Sequence, residues 1–197
     1  DRESYMPPVA IGEPMRAGSV AQVVTSNHPD YAAGDLVQTL GGWQDFLVVD
    51  GAAGGIGLSK LPPGVTPQMA IGVLGTTGQT AYFGMLDLGE PKEGETVLVS
   101  GAAGATGSVA GQIARIKGCR VIGIAGGQEK CDWLRDACKI DAVIDYKAED
   151  INRRIGDLCP EGINVFFDNV GGDTLEAAIT HMADFGRIAL CGAISEY

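Results

Sequence analysis

The chain has 197 residues, 45% of them apolar and 20% charged, with a formal net charge of −11. This length allows one large or two small domains, and the apolar share suffices for a packed core. The acidity argues against nucleic acid as a partner, which would favour a basic face; no apolar run reaches the roughly 20 residues that span a bilayer.

No secretory signal is visible, so no membrane partner is expected and the expected location is cytoplasmic. Five dispersed cysteines without a C-x-x-C pair suit reduced thiols in such a compartment. His28 lies in a turn composition, and His181 in a helical pattern beside Met182. Neither has a second His or a Cys at ligand spacing, so no metal site is expected.

Residues 1–75 read as short strands, at 19–25 and 43–49, punctuated by Pro29, Gly34-Asp35 and Gly41-Gly42. Such a segment suggests part of a β-barrel, too short to close alone. With Asp1 at the start and a strand-like run near the end, the expectation is a piece of a longer chain. Residues 51–57 imitate a nucleotide loop, but Pro62-Pro63 follows and no helix can, so they are expected to form a surface loop. Thr66-Pro67 reads as an N-cap followed by proline at the first helical position. A second helix is expected over 80–88, ending at Gly89 and Pro91, with residues 75–78 as a small, flexible hinge.

From residue 96 strands and helices alternate. The expected strands are 96–100, 120–125, 142–145, 164–168 and 187–191; the expected helices are 106–117, 128–138, 149–158 and 173–184. This alternation predicts a parallel sheet covered on both faces, with ligands at the carboxyl ends of the strands. The first strand runs into Gly101-Ala-Ala-Gly-Ala-Thr-Gly107 and then a helix. Strand, glycine turn and helix form the phosphate-binding unit of a dinucleotide fold. Ala102 stands where the full fingerprint has its first glycine. The second strand ends Ile124-Ala-Gly-Gly127, without the Asp or Glu that binds both ribose hydroxyls of NAD. Lys130 follows and can neutralise an added phosphate, which favours NADP. Asn169, after the fourth strand, reads equally as a ribose or amide ligand and as a turn cap.

Several stretches together resemble the medium-chain dehydrogenase/reductase superfamily. Within it they resemble the zinc-independent prostaglandin reductase, leukotriene B4 dehydrogenase and curcumin reductase group of NADPH-dependent alkenal/one reductases. They are Thr80-Ala-Tyr-Phe-Gly84, Gly104-Ala-Thr-Gly-Ser108, Gly111-Gln-Ile-Ala114, Lys117-Gly-Cys119, Phe167-Asp-Asn-Val-Gly-Gly172, Gly186-Arg-Ile188 and Cys191-Gly-Ala-Ile-Ser195. Gln79 departs from the leucine that relatives often carry.

The resemblance implies an α/β fold: a Rossmann doubly wound parallel sheet over residues 76–197, incomplete at its C-terminus. Residues 1–75 would be part of a GroES-like β-barrel domain. It further implies that Gly104, Ala105, Thr106 and Gly107 hold the cofactor's pyrophosphate and Lys130 its 2′-phosphate. Tyr146 and Asn169 would line the adenosine and ribose side; Cys191, Gly192, Ala193, Ile194, Ser195 and Tyr197 would run beside the nicotinamide ribose. The implied reaction is hydride delivery from NADPH to the β-carbon of an α,β-unsaturated aldehyde or ketone. Tyr197 would be the catalytic donor toward the enolate oxygen, alone or through a ribose hydroxyl, and Tyr5 would line the substrate pocket. A homodimer stays open as the assembly. The competing readings are a quinone reductase of the same superfamily and a noncatalytic NADPH-binding protein.

Overall fold

The structure, a computed structural model, describes residues 7–50 and 57–196. It divides into two compact units, Asp1–Gly75 and Thr76–Tyr197.

The first unit carries a three-stranded antiparallel sheet in the order β1-β2-β3, built from β1 (Ser19–Gln22), β2 (Leu36–Thr39) and β3 (Ser59–Lys60). In β2 the side chains alternate, with Val37 and Thr39 buried and Leu36 and Gln38 outward, as a one-sided sheet requires. Lys60 pairs with Asp35 at 2.7 Å, and the Tyr31 hydroxyl donates to the Leu58 carbonyl at 2.9 Å. Helix α1 (Pro67–Ile71) starts as expected: the Thr66 hydroxyl accepts from the Met69 N–H at 3.2 Å, with Pro67 in the first turn. The strand expected over 43–49 does not form. That run finds no partner strand among the described residues, and Trp43, Phe46 and Val48 are 79%, 82% and 99% exposed; β-propensity without a neighbouring ladder does not make a strand. Of the loop expected over 51–57, residues 51–56 lie outside the described residues.

The second unit is a five-stranded parallel sheet in the order β6-β5-β4-β7-β8. Its strands are β4 (Thr96–Val99), β5 (Arg120–Ala125), β6 (Ala142–Asp145), β7 (Ile163–Asp168) and β8 (Met182–Leu190). The helices are α2 (Thr76–Phe83), α3 (Ala105–Ile116), α4 (Gln128–Asp136), α5 (Ile151–Leu158) and α6 (Gly172–Thr180). Because strand side chains alternate, the sheet has two apolar faces. Val97, Val99, Val121, Val165 and Phe167 pack in one core with Ala81 and Met85 and with Ala110 and Leu134. Leu98, Ile122, Ile124, Ile144 and Phe166 pack in another with Ile155 and Ala178. Burial on both faces explains why these strands read as unbroken apolar runs.

Three boundaries differ from the expected ones. Thr76, Thr77 and Gly78, expected in a hinge, lie inside α2. That helix continues into a π-helical turn, Gly84–Gly89, where a Cβ on Gly84 would lie 2.7 Å from the Phe167 ring; contact with the sheet, not local propensity, sets this path. The helix expected over 173–184 stops at Thr180, with His181 as its C-cap. Strand β8 then begins at Met182, opposite Ile163. Its register shifts, because β8 advances from Met182 to Arg187 while β7 advances only from Ile163 to Val165. Exposed Phe185, at φ 60, sits in the irregular part. Among the described residues no helix is long and apolar enough to cross a membrane.

Candidate functional site

Parallel strands direct all their carboxyl ends to one edge, and β4, the central strand, has its crossovers running in opposite directions: β5 and β6 on one side, β7 and β8 on the other. Such a switch point leaves a crevice between diverging loops. The turn after β4 fills its base. The Ala102 N–H donates to the Ile124 carbonyl at 2.9 Å, and the Gly104 N–H to the Gly101 carbonyl at 2.9 Å. A Cβ on Gly107 would lie 2.4 Å from the Gly101 oxygen, so only glycine lets α3 start this close to the strand. No side chain caps α3 at Gly104, and no acidic residue stands in its first turn. The first N–H groups of a helix have no partner within it. Those of Ala105, Thr106 and Gly107 therefore form an uncapped, positively polarised cradle suited to an anion.

Beside this cradle lies a buried polar cluster. Asp168, fully buried at the end of β7, accepts from the Ser100 hydroxyl at 2.6 Å and from the N–H groups of Val170 and Gly171 at 3.0 and 3.1 Å. Ser100 Oγ accepts from the Asn169 N–H at 2.8 Å, and Asn169 Nδ2 donates to the Ser100 carbonyl at 2.7 Å. A carbonyl only accepts, so this bond fixes the amide orientation and leaves Asn169 Oδ1 as an acceptor. The loop after β8 joins the same cluster. The Cys191 N–H donates to the Asp168 carbonyl at 2.8 Å, and the Ser195 hydroxyl to the Val170 carbonyl at 2.7 Å. A short 3₁₀ turn, Ile194–Glu196, follows.

The loops after β5 and β6 form the other wall. The Gly127 N–H donates to Asp145 Oδ1 at 2.9 Å, and the Lys147 N–H to the same oxygen at 3.0 Å. These two bonds, the Gly127 one first, hold the Asp145 carboxyl below the usual carboxylate range. Half-exposed Tyr146 lies against Gly126. Lys130 is exposed in the first turn of α4. The strand end expected to be free of carboxylates is so only within β5; Asp145 brings one in from β6. Two backbone donors already engage its Oδ1.

The expected site residues thus fall in one row along the sheet edge. Lys130 and Tyr146 stand at the β5/β6 end, Gly104, Ala105, Thr106 and Gly107 at the centre, and Asn169 and then Cys191, Gly192, Ala193, Ile194 and Ser195 at the β7/β8 end. Tyr5 and Tyr197 lie outside the described residues. Sequence reasoning missed Ser100, Asp168 and Asp145 as site residues. Ser100 and Asp168 could have been found as polar residues closing otherwise apolar core strands. Among the described residues no three of His, Cys, Asp and Glu gather in a group able to hold a metal ion.

The comparisons with known proteins agree with this geometry. Residues 105–197 match a family model described as zinc-binding dehydrogenase, and residues 1–55 one described as the N-terminal domain of oxidoreductase. The chain is 44% identical to the NADPH-dependent curcumin reductase of Escherichia coli, over 100% of this chain and 56% of that one. It is 43% identical to prostaglandin reductase 1 of Bos taurus, over 94% of this chain and 56% of the relative. The crystal structure of CurA in complex with NADPH from Vibrio vulnificus superposes with a TM-score of 0.90 at 45% identity, covering 99% of this chain and 57% of that one. The second unit is a Rossmann-type doubly wound sheet, the class of protein that binds nucleotides at its switch point. The chain belongs to the medium-chain dehydrogenase/reductase superfamily. It spans little more than half the length of these relatives, 56% of the curcumin reductase.

Proposed function

We propose that the protein carrying this chain is an NADPH-dependent oxidoreductase that reduces the C=C bond of α,β-unsaturated aldehydes and ketones. The observation that carries the reading is the α3 cradle, flanked on one side by Lys130 and on the other by Asn169. NADP fits the residues present. Gly107 leaves backbone room that a Cβ would fill, α3 offers uncapped N–H groups, and no β5 carboxylate opposes a 2′-phosphate. Lys130 would supply the cation for that phosphate, with Tyr146 beside it. Asn169 Oδ1, an acceptor by its own fixed geometry, suits a ribose hydroxyl. The loop Cys191–Ser195 would flank the nicotinamide end. When bound, NADPH supplies the hydride. The protein holds the cofactor's position and places a donor, for which we propose Tyr197, toward the oxygen that gains charge. Tyr5 is proposed to line the substrate pocket. Residues 1–75 are proposed as part of the GroES-like catalytic domain and 76–197 as the cofactor domain, in a cytoplasmic enzyme.

The test is NADPH oxidation by the full-length protein against a panel of enals, enones and quinones. Turnover of enones with product reduced at the C=C bond supports the reading. Turnover of quinones alone would replace it with a quinone reductase. Tight NADPH binding with no turnover of either would leave a noncatalytic binding protein.

A further inference from the structure

Little in the burial of β8 fixes its register. The strand lies at the sheet edge, with β7 its one neighbour among the described residues, and of its nine residues only Ala189 is buried. A strand that buries so little is weakly specified and can slip against its partner. The pairing itself holds two offsets. β8 takes five steps from Met182 to Arg187 where β7 takes two from Ile163 to Val165, so three residues of β8 are surplus. The second offset begins at Arg187 and runs to Leu190 opposite Asp168. At its first residue stands a guanidinium with four bonds. Nε donates to the Gly89 carbonyl at 2.9 Å, Nη1 to Glu95 Oε1 at 2.9 Å, and Nη2 to the Glu90 carbonyl at 3.0 Å and to Glu95 Oε2 at 2.5 Å. None of these acceptors belongs to β7. Glu95 is itself fixed, since its Oε2 accepts from the Lys92 N–H at 2.9 Å and its carbonyl from the Arg120 N–H at 2.9 Å. Val165, opposite Arg187, packs under the same π-helical turn, where a Cβ on Gly89 would lie 3.0 Å from its Cγ1. Arg187 thus measures β8 against the entry to β4, across β7. A slip by one residue would turn it to the opposite face. A slip by two would carry it about 7 Å along the strand, out of reach of all four acceptors.

We propose that Arg187 is a positioning residue for the reacting end of the cofactor, acting through the register of β8. This rests on the NADPH reading above and adds to it what places the loop Cys191–Ser195. That loop begins four residues beyond Arg187, about 13 Å along the strand. It is laid against the loop after β7 bond by bond. The Cys191 and Gly192 N–H groups donate to the Asp168 carbonyl at 2.8 and 3.1 Å, the Ile194 N–H to the Asn169 carbonyl at 3.4 Å and the Ser195 N–H to the Val170 carbonyl at 3.1 Å. These bonds hold only at the offset that Arg187 sets. Without the guanidinium, residues 183–186 offer slack that can be drawn in or let out. The loop then shifts along Asn169, while β4, α3 and the phosphate cradle keep their places. Arg187 therefore governs where the reacting end lies, from the opposite end of the sheet, and not how tightly the phosphates are held.

The experiment compares Arg187→Met with Ile155→Val, a core substitution in α5, in the full-length protein at a temperature where melts show both folded. Without cofactor, hydrogen exchange read by mass spectrometry should quicken at least about fivefold over residues 188–195 of Arg187→Met and stay unchanged over 97–116. NADPH affinity, by fluorescence titration, should stay within about threefold. Hydride transfer in a single turnover, at saturating NADPH and enone, should fall about tenfold or more, because a displaced reacting end loses its attack geometry. Ile155→Val should match the unsubstituted protein in all three. Adding Glu95→Gln to Arg187→Met should lower the hydride rate by less than about twofold further, since the clamp is already open. If Arg187→Met does not fold, Arg187→Lys, which keeps a charge toward Glu95 but not the fork, should show the same pattern with a fall of about threefold in rate. Unchanged exchange over 188–195, an unchanged hydride rate, a loss confined to NADPH affinity, or an equal fall in Ile155→Val would each overturn the positioning role. An unsubstituted protein that transfers no hydride from NADPH to any enone or quinone would instead overturn the reading above, and this inference with it.

Discussion

Asn169 owes its orientation to a backbone carbonyl, and that carbonyl to a serine held by a buried aspartate. Within this cluster Asp168 accepts from three donors, a hydroxyl and two backbone N–H groups, with no solvent to replace them. Asp168→Ala would strand the Val170 and Gly171 N–H groups and the Ser100 hydroxyl. We expect a loss of about 2–4 kcal/mol of stability, since each unsatisfied buried group costs about 1–3 kcal/mol, read as a lowered urea midpoint. Ser100→Ala keeps the two backbone donors on Asp168, so its stability loss should be smaller, about 1 kcal/mol. It should nevertheless weaken NADPH measurably, because the Asn169 N–H loses its acceptor; unchanged affinity would show that Asn169 needs no such support. At the other wall, Lys130→Ala should raise the NADPH dissociation constant by about tenfold or more and leave that for NADH within about twofold, the loss expected of one charge-assisted phosphate contact. Equal losses for both nucleotides would remove Lys130 from the 2′-phosphate.

Elements are held together by a smaller set of contacts than the core suggests. Arg187 of β8 grips Glu95 with two hydrogen bonds, at 2.9 and 2.5 Å, and also donates to the carbonyls of Gly89 and Glu90. One guanidinium thus ties β8, the π-helical turn and the approach to β4. The Arg187 guanidinium, more than any other influence, holds the Glu95 carboxyl below its ordinary range. A depressed carboxylate contributes stability that is complete above the ordinary value of about 4.3 and is lost as pH falls through the folded-state value. Arg187→Met should therefore lower the melting temperature at pH 7, by a loss of about 1–2 kcal/mol after allowance for partial exposure. The gap from the unsubstituted protein should narrow in melts near pH 3.

The same scale shows what could be read in the sequence. Strands β4 to β7 and the cradle at Gly104 were legible because apolar runs, glycines and a following helical period coincide within a few residues. The break between α6 and β8 was not, because His181 and Met182 continue a helical pattern locally, and only pairing with Ile163 ends it. The run over 43–49 misled for the opposite reason, since β-branched and aromatic residues make a strand only where a partner exists. The Ser100–Asp168 cluster was invisible because its members lie 68 residues apart and meet only once β4 and β7 pair.

Across the whole molecule, the thiols give a readout of how completely the core closes. Cys119, Cys131, Cys138 and Cys159 are buried and Cys191 is exposed. Burial pushes the Cys159 thiol up to about 11, and it also raises that of Cys191, beside the Asp168 charge. A neutral alkylating reagent should modify Cys191 first in the native protein, slowly at pH 7 and faster as pH rises, because the thiolate is the attacking form. All five should react in denaturant. If bound NADPH lies along Cys191–Ser195, saturating cofactor should slow that first modification; labelling at an unchanged rate would place the cofactor elsewhere.

Ala102 replaces the first glycine of the fingerprint without disturbing the turn, and the neighbouring strand shows why. It is 2% exposed, and a Cβ on Gly123 would lie 2.9 Å from its own. Leu134 and Ile140 close in on the same point, at 3.3 and 3.5 Å, so the space over this face of β5 admits a single methyl, which this chain assigns to the turn. A lineage could move that methyl to the strand by exchanging both residues together, whereas either exchange alone leaves a gap or a collision. The two sites should therefore drift in tandem among descendants, and an A102G/G123A swap should melt closer to the parent than G123A does.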